Sequence, residues 1–524
     1  MLLIRGELWD DSRMEEAMAG LEAHLTRTIA QPPLDPMLVV NACDHLANEV
    51  ANGEYAAEME EFLSVHEVPR AIVEDAIGLF RKESLLYKLK MELGEEILEP
   101  LRSGAHVWQR RRFPLGVLFH IAAGNVDGLP AYSVVEGLLA GNINLLKLPS
   151  ADAGLSVRLL YALTQVEPAL ADYIYVFDLP STDLEGLTRL ADLSDGVVVW
   201  GGDEAVRAAR RLAHPGTKII AWGHKLSFAY ATADASKEEI RALARHICQT
   251  GQVLCTSCQG VYVDTEDPKE ARRFAKKLLF ALGEAAQELP PVDPGLRGQA
   301  TLRLYNETLE AARTGRKVLR GKTVSVLLCP DDELELSFLH GNCWVKPLPR
   351  ARLIETLRRK KEYLQTAGLL CAPEDRAALT DLLCRAGVVR VTEAGRMSRT
   401  VSGEAHDGTF PLREYTRVAE GLWYKTKTCK SAAIGRIFAG FSKKYRERFD
   451  GKRKNRYNEQ DLRFLIWSCG NGQVYQCQTG IRQREHLFAE GRGPRPQAPG
   501  RYFRLGRSRG LRAFGLRDPF ELDR

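Results

Sequence analysis

One cysteine loop is the most chemically suggestive stretch of this sequence. Gly251-Gln252-Val253-Leu254-Cys255-Thr256-Ser257-Cys258-Gln259 stands between a helical pattern at 237–248 and an apolar run at 260–263. Small and polar residues between two buried elements make a loop in which a thiol can be exposed. A neighbouring helix dipole and nearby amides can then lower its pKa. A thiolate suits a thioester substrate, because exchange between two thioesters is nearly isoenergetic. Cys255 and Cys258 also form a CxxC pair, which suits a redox disulfide or half a zinc site. Zinc needs a second ligand pair at a suitable spacing, and the sequence offers none, so no metal is expected.

Three other segments carry useful groups. Ile121-Ala122-Ala123-Gly124-Asn125-Val126 follows an apolar run, and a side-chain amide on a Gly-Asn turn can donate to a developing oxyanion. Asn144-Leu145-Leu146-Lys147-Leu148-Pro149-Ser150 ends a strand pattern in a lysine. At the carboxyl end of a parallel strand, Lys147 lies where ligands bind and can meet a ribose hydroxyl or a 2′-phosphate. Val199-Trp200-Gly201-Gly202-Asp203-Glu204 reads as strand, glycine turn and helix start, whose bare N–H groups suit a pyrophosphate. Neither GxGxxG after a strand nor GxxxxGK[ST] is present. Taken alone, Lys147 is equally a solvated strand-end lysine, Gly201-Gly202 an ordinary tight turn, and Asn125 a turn residue.

These groups need a frame. From Pro114 short apolar runs alternate with helical patterns: strands at 115–121, 144–148, 173–177, 196–200 and 217–221, with helices at 131–140, 156–163, 184–193 and 204–212. Continuous apolar runs are the mark of strands buried on both faces, and the alternation predicts a doubly wound α/β domain. The pattern continues through strands at 260–263, 325–328 and 388–391, with a helix at 268–289. Residues 12–104 read as a helical layer, with three- and four-residue apolar spacing over 71–101.

Composition sets the outer limits. A chain of 524 residues, 45% of them hydrophobic, has ample material for a large core. Arg5, Glu7, Asp10 and Asp11 interrupt the N-terminus, and no apolar stretch reaches about 18 residues. The expectation is an intracellular, cytoplasmic protein without a membrane span, whose eleven cysteines are reduced. The net charge of +5 conceals an asymmetry: residues 425–524 hold 24 Lys+Arg against 9 Asp+Glu, and the rest holds 49 against 59. The basic tail, rich in Gly, Pro and Arg over 491–510, is expected to be largely disordered.

The segments resemble a known family in their order. Pro114-Leu115-Gly116-Val117, Ala123-Gly124-Asn125-Val126, Gly137-Leu138-Leu139-Ala140-Gly141-Asn142 and Lys147-Leu148-Pro149-Ser150 look like the corresponding segments of aldehyde dehydrogenases. They are closer still to the bacterial acyl-CoA reductase family of luminescence operons, the LuxC family. The cysteine loop is similar to that family's QxxCxSPQ, and Glu404-Ala405-His406-Asp407-Gly408 to its PHDG. The likeness is strong over about 112–420 and does not reach the tail.

The resemblance implies an aldehyde-dehydrogenase-like α/β fold. It would comprise a helical layer (1–111), a dinucleotide-binding domain (112–230), a catalytic cysteine domain (231–395), a return segment (396–424) and the tail (425–524). It implies NADPH-dependent reduction, with NADH as an alternative, of a long-chain acyl-CoA or acyl-protein thioester to the aldehyde. Cys255 would be the acyl-accepting nucleophile, with Asn125 as oxyanion donor and His406 as proton handler or structural turn. Lys147, Ser150, Gly201, Gly202 and Gly223 would meet the cofactor. An acyl-protein synthetase and a second copy of the chain are the expected partners.

Two departures stand out. Cys258 replaces the family's proline, bringing a second thiol, passive or a redox liability, near the site. Ala221 in Ile220-Ala221-Trp222-Gly223-His224-Lys225 falls where aldehyde-oxidising enzymes carry a general-base glutamate, which favours acyl reduction. The alternatives are a reductase of the same fold acting on an acyl phosphate or short acyl-CoA, as glutamyl phosphate reductase does, and a degenerate binding scaffold. In the latter the tail, with Arg501, Arg504, Arg507, Arg509, Arg512, Tyr502 and Phe503, would grip nucleic acid. Nucleic-acid binding is the less expected reading.

Overall fold

The apolar runs become strands because each is covered on both faces. A computed structural model describes residues 1–57, 77–94, 97–103, 106–122, 128–149 and 154–424, with backbone alone for 97–103, 106–107 and 422–424. The first sheet and its flank comprise β1 Leu2–Ile4, β2 Glu7–Trp9, β3 Ile97–Ser103, β4 His106–Pro114, β5 Val117–Ile121, β6 Ile143–Lys147, β7 Ile174–Phe177, β8 Gly196–Trp200 and β9 Lys218–Trp222. The second comprises β10 Leu226–Ala231, β11 Cys258–Val263, β12 Lys317–Arg320, β13 Ser325–Leu328, β14 Asn342–Pro347, β15 Leu364–Leu370 and β16 Arg390–Glu393, and β17 is Thr416–Tyr424.

The first sheet runs β2-β1-β7-β6-β5-β8-β9, parallel from β7 to β9. Its strand order reverses beside β5, and the crevice at such a reversal is where open α/β sheets bind ligands. Side chains alternate as strand geometry requires. Leu118, Leu146 and Val198 pack under the helices Pro36–Asn52, Leu129–Leu139 and Leu155–Val166. Phe119, Leu145 and Val199 pack on the other face under Met14–Ile29 and Leu184–Asp192. The second sheet, β12-β13-β14-β11-β10-β15-β16, is likewise covered on both faces. A third sheet, β17-β4-β3, is antiparallel, with Thr416 opposite Pro114.

The N-terminal layer carries more than helices. β1 extends the first sheet antiparallel to β7, and β2 pairs antiparallel to β1 at the edge. The helical pattern over 71–101 runs too far: the helix Lys82–Glu92 stops before Gly94, which has φ 65°, and Ile97–Ser103 is strand. Residues 71–76 lie outside the described chain. The first sheet ends at Trp222 and β10 begins at Leu226, so the expected boundary at 230/231 falls inside the second sheet's first strand. The 425–524 segment lies outside the described residues. Among those described, no helix is long and apolar enough to cross a membrane.

A buried polar chain fixes the strand ends of the first sheet. Trp200 Nε1 donates to Ser133 Oγ (2.9 Å), so the Ser133 hydroxyl is left to donate to His120 Nδ1 (2.8 Å). His120 Nε2 then donates to Asn144 Oδ1 (3.0 Å), whose own amide nitrogen donates to the Asn142 carbonyl (2.8 Å). With His120 neutral and its proton on Nε2, each donor and acceptor in the chain has one consistent role. Gly137 packs so closely that an added Cβ would stand 1.8 Å from Asn144 Oδ1.

Burial pushes both His120 and His246 down to about 4. Both are neutral above the ordinary value near 6.5. Between 6.5 and 4 the unfolded chain takes up their protons and the folded chain does not, so stability falls with pH across that window. The ceiling is about 3 kcal/mol per histidine. We predict a steep decline in melting temperature from pH 6.5 to 4, shallower in His120→Gln, His246→Gln and most of all the double variant. An unchanged slope in the double variant would exclude these histidines as the cause.

Candidate active site

The cysteine loop is rigid because glutamines hold it from beneath. The helix Lys237–Thr250 ends at Gly251 (φ 56°), and Gln252 follows at φ 66°. Gln252 Nε2 donates to the Cys258 carbonyl (3.0 Å) and its Oε1 accepts from Gly341 N (3.1 Å). Gln259 Nε2 donates to the Gln252 carbonyl (2.9 Å), while its Oε1 accepts from Ser337 N and Oγ. Above these, Leu254 to Ser257 form a turn that carries Cys255. Ser227 Oγ donates to the Cys255 carbonyl (2.6 Å), and Thr256 Oγ1 to Ser398 Oγ (2.8 Å). The second sheet, the loop before β14 and the segment after β16 therefore fix the Cys255 backbone.

Cys255 is exposed, as expected, but its thiol is not acidified. Desolvation by the surrounding protein is the largest influence and pushes it up, and the charge of Asp407 adds to this. The Gln365 side chain and the backbone N–H groups of Thr256 and Cys255 oppose the rise. The expected help from a helix dipole is absent for a geometric reason: the preceding helix points its C-terminus, its negative end, at the loop. Cys258 is the first residue of β11, fully buried, with its thiol pushed up to about 12. It is an inert packing residue rather than a redox partner.

The return segment brings the two sheets together. His406 and Thr409 exchange backbone hydrogen bonds, and Asp407 sits at φ 48°. The His406 ring lies 5.2 Å from that of Trp200 and 5.0 Å from that of Trp222, the last residues of β8 and β9. The Asp407 side chain, 7% exposed, turns the other way. It accepts from Gln365 Nε2 of β15 at 2.6 Å, with Lys225 Nζ at 4.0 Å. Burial pushes His406 down, and Asp407 acts against that. The imidazole is therefore neutral near pH 7.

The cofactor candidates sit at carboxyl ends of first-sheet strands. Lys147 ends β6, is 4% exposed, and donates to Ser181 Oγ at 3.3 Å. Desolvation pushes its ammonium down, with Asp178 opposing. Gly201 has φ 155°, and an added Cβ would meet Ala205 at 2.9 Å, so the turn requires glycine. Gly202 caps the helix Asp203–Leu212, and above Gly202 and Gly223 an added Cβ meets nothing within 4 Å. A backbone N–H rim with open space, at the same end of the sheet as the Lys147 ammonium, fits a dinucleotide. Asn125 and Ser150 lie outside the described residues. Ala221 is exposed near the end of β9. Two surface concavities, of about 700 and 620 Å³, include none of these residues.

Gln365, Ser227, Trp200 and Trp222 stand around the candidate site and were not singled out from the sequence. The usable signal for Gln365 was the polar pair Gln365-Thr366 near the start of the otherwise apolar strand β15.

Comparison with known proteins agrees with this layout. A model of the acyl-CoA reductase (LuxC) family matches residues 31–418. The long-chain acyl-protein thioester reductase of Vibrio harveyi is 26% identical over 319 residues, 59% of this chain and 64% of that protein. The enzyme of the same name from Aliivibrio fischeri is 26% identical over 334 residues, 61% and 67% of the two chains. This chain thus spans about two thirds of the length of those relatives. Among solved structures, methylmalonate-semialdehyde dehydrogenase from Oceanimonas doudoroffii superposes with a TM-score of 0.63 at 15% identity, covering 83% of this chain and 99% of that one. Glyceraldehyde-3-phosphate dehydrogenase from Methanocaldococcus jannaschii, complexed with NADP, gives 0.60 at 16% identity, over 80% and 96%. The fold is that of the aldehyde dehydrogenases, and the chain belongs to the acyl-CoA reductase (LuxC) family.

Proposed function

We propose that this protein reduces a long-chain fatty acyl thioester to the aldehyde, using NADPH. The observation that carries the reading is the return turn. His406 packs on the strand ends of the first sheet while Asp407 accepts from Gln365 of β15 in the second. The sheet whose strand β11 follows the Cys255 loop is thereby tied to the end of the sheet that fits a dinucleotide.

The Cys255 sulfur attacks the acyl carbon. A new C–S bond forms, the donor's C–S bond breaks, and the donor leaves as a thiol carrying the proton that Cys255 gave up. The backbone N–H of Cys255 and the amide of Asn125 stabilise the oxyanion of that addition. A bound nicotinamide supplies the hydride. Cys255 then leaves the reduced carbon as thiolate, releasing aldehyde, and takes its proton back from water. Neutral His406 holds the strand-end aromatics together and carries no charge into the crevice. Ala221 places a methyl group where a water-activating carboxylate would hydrolyse the acyl-enzyme. The names of the relatives favour an acyl-protein donor, charged by an acyl-protein synthetase, over acyl-CoA. Lys147 and Ser150 favour NADPH over NADH through the 2′-phosphate.

Two measurements test this. Incubation with a long-chain acyl-CoA and no nicotinamide should leave one acyl group on Cys255, found by peptide mass spectrometry. Cys255→Ala should remain unacylated and form no aldehyde. Labelling elsewhere, or aldehyde formation at the normal rate by that variant, would end the proposal, and a preference for acyl phosphate or short chains would redirect it. Separately, Lys147→Ala should raise the KM for NADPH about tenfold or more, the loss of one hydrogen bond to a charged group, and leave that for NADH nearly unchanged. Equal effects on both would remove Lys147 from 2′-phosphate recognition.

A further inference from the structure

We infer that Ser227 is a positioning residue of the nucleophile loop: its buried hydroxyl holds the Cys255 carbonyl against β10, and so turns the Thr256 N–H outward as a backbone donor for the oxyanion. The inference rests on the reading above, in which Cys255 accepts the acyl group.

The strand ladders make room for this contact. β10 lies between β11 and β15, and both neighbours are irregular opposite Ser227. On one side Ser227 pairs with Cys258 and Ala229 with Val261, so β11 advances three residues where β10 advances two. On the other, Leu226 pairs with Leu364 and Phe228 with Ala367, so β15 also carries one extra residue. A bulge leaves backbone groups without ladder partners. One of them, the Thr366 N–H, donates to Ser227 Oγ (3.1 Å). An N–H can only donate, so the hydroxyl accepts there and gives its own hydrogen to the Cys255 carbonyl (2.6 Å). Ser227 is fully buried, so water does not compete for either bond.

The contact lands on one particular peptide. Ser257 N donates to the Leu254 carbonyl (2.9 Å), which closes a β-turn with Cys255 and Thr256 at its centre. The central peptide of such a turn can face either way, and the two orientations are the type I and type II forms. A trans peptide is planar, so its carbonyl and its N–H point to opposite sides. Ser227 takes the Cys255 carbonyl on the sheet side, and the Thr256 N–H is presented on the other, where Cys255 is exposed. The reversed orientation needs a positive φ at the second central residue. Thr256 is not among the residues of positive φ, and its Oγ1 is tied to Ser398 Oγ (2.8 Å). Among the described residues, no carbonyl takes the Thr256 N–H. The same N–H acts on the Cys255 thiol and opposes the rise that burial causes.

The consequence appears when the acyl carbon becomes tetrahedral. As Cys255 Sγ bonds to that carbon, the carbonyl π pair moves onto oxygen. The C=O then re-forms, and the donor leaves as a thiol with the proton that Cys255 gave up. A donor already in place when the charge develops stabilises it without reorganising. The Thr256 N–H is such a donor only while the Cys255 carbonyl is held back.

The test compares two reactions of the same sulfur in the full-length protein. Acylation of Cys255 by a long-chain acyl-CoA passes through an oxyanion, whereas alkylation by iodoacetamide does not, and peptide mass spectrometry follows both. A change in thiol acidity enters both rates and largely cancels in their ratio. Ser227→Ala should lower the ratio of acylation to alkylation about tenfold, short of the roughly hundredfold loss from deleting an oxyanion donor outright. Ser227→Thr should keep a higher ratio than Ser227→Val, which has the same shape and no hydroxyl. That pair decides the matter if alkylation of buried Cys258 shows that Ser227→Ala has loosened the loop. An unchanged ratio in Ser227→Ala with Cys258 still protected, or equal ratios for Ser227→Thr and Ser227→Val, would overturn the inference and leave the reaction standing. A native protein that takes no acyl group on Cys255 would end the reading above and this inference with it.

Discussion

On the proposed reading a thiol must meet a group held by a different sheet, and so depends on whatever keeps the two sheets in register. One tie is Tyr363, donating to Asp203 (2.7 Å), and another is a turn of two residues. His406 is wedged against Trp200 and Trp222, and Asp407 holds Gln365 at 2.6 Å. Trp200 is in turn pinned through Ser133 to the buried His120–Asn144 chain. A displacement of the return segment would therefore be felt at the strand ends and at the sulfur together. Aromatic contacts near 5 Å and a short charge-assisted hydrogen bond tolerate little sliding.

The electrostatics are less permissive than a simple activated-cysteine picture. Burial and Asp407 push the Cys255 thiol up, while backbone N–H groups and Gln365 pull it down. A weakly acidic thiol suits exchange with another thioester, because nucleophile and leaving group are then matched and neither direction is strongly uphill. Intrinsic nucleophilicity also rises with pKa. What the site must supply is stabilisation at the moment charge forms. Fixed N–H donors do that at little reorganisation cost.

Much of the frame was legible because doubly covered strands leave continuous apolar runs. The strands Gly196–Trp200 and Ser325–Leu328 fall where those runs stand. β1 and β2 were not legible: three residues are too few to show a period, and β7, the strand that ties β1 into the sheet, lies some 170 residues away. Within the candidate site, the places of Lys147 at a strand end and of Gly201 and Gly202 in a tight turn were legible because these are local features. The pairing of Gln365 with Asp407 spans 42 residues and joins a strand to a loop, so no local pattern encodes it. The direction of the Cys255 shift was misread for a related reason. The helix before the loop was visible, but the loop follows its C-terminus, and that reverses the sign of the dipole.

An acyl-enzyme that is to be reduced must form readily and resist water. On the proposed reading, Ala221 serves the second need by offering a methyl group in place of a water-activating carboxylate. Asp407 is an acidic group whose charge reaches the thiol. Its carboxylate is already committed to the Gln365 amide and faced by Lys225 and His406, and only 7% of the side chain is exposed. The same turn that ties the two sheets together thus also keeps that carboxylate engaged with protein groups, with little surface left for an incoming water.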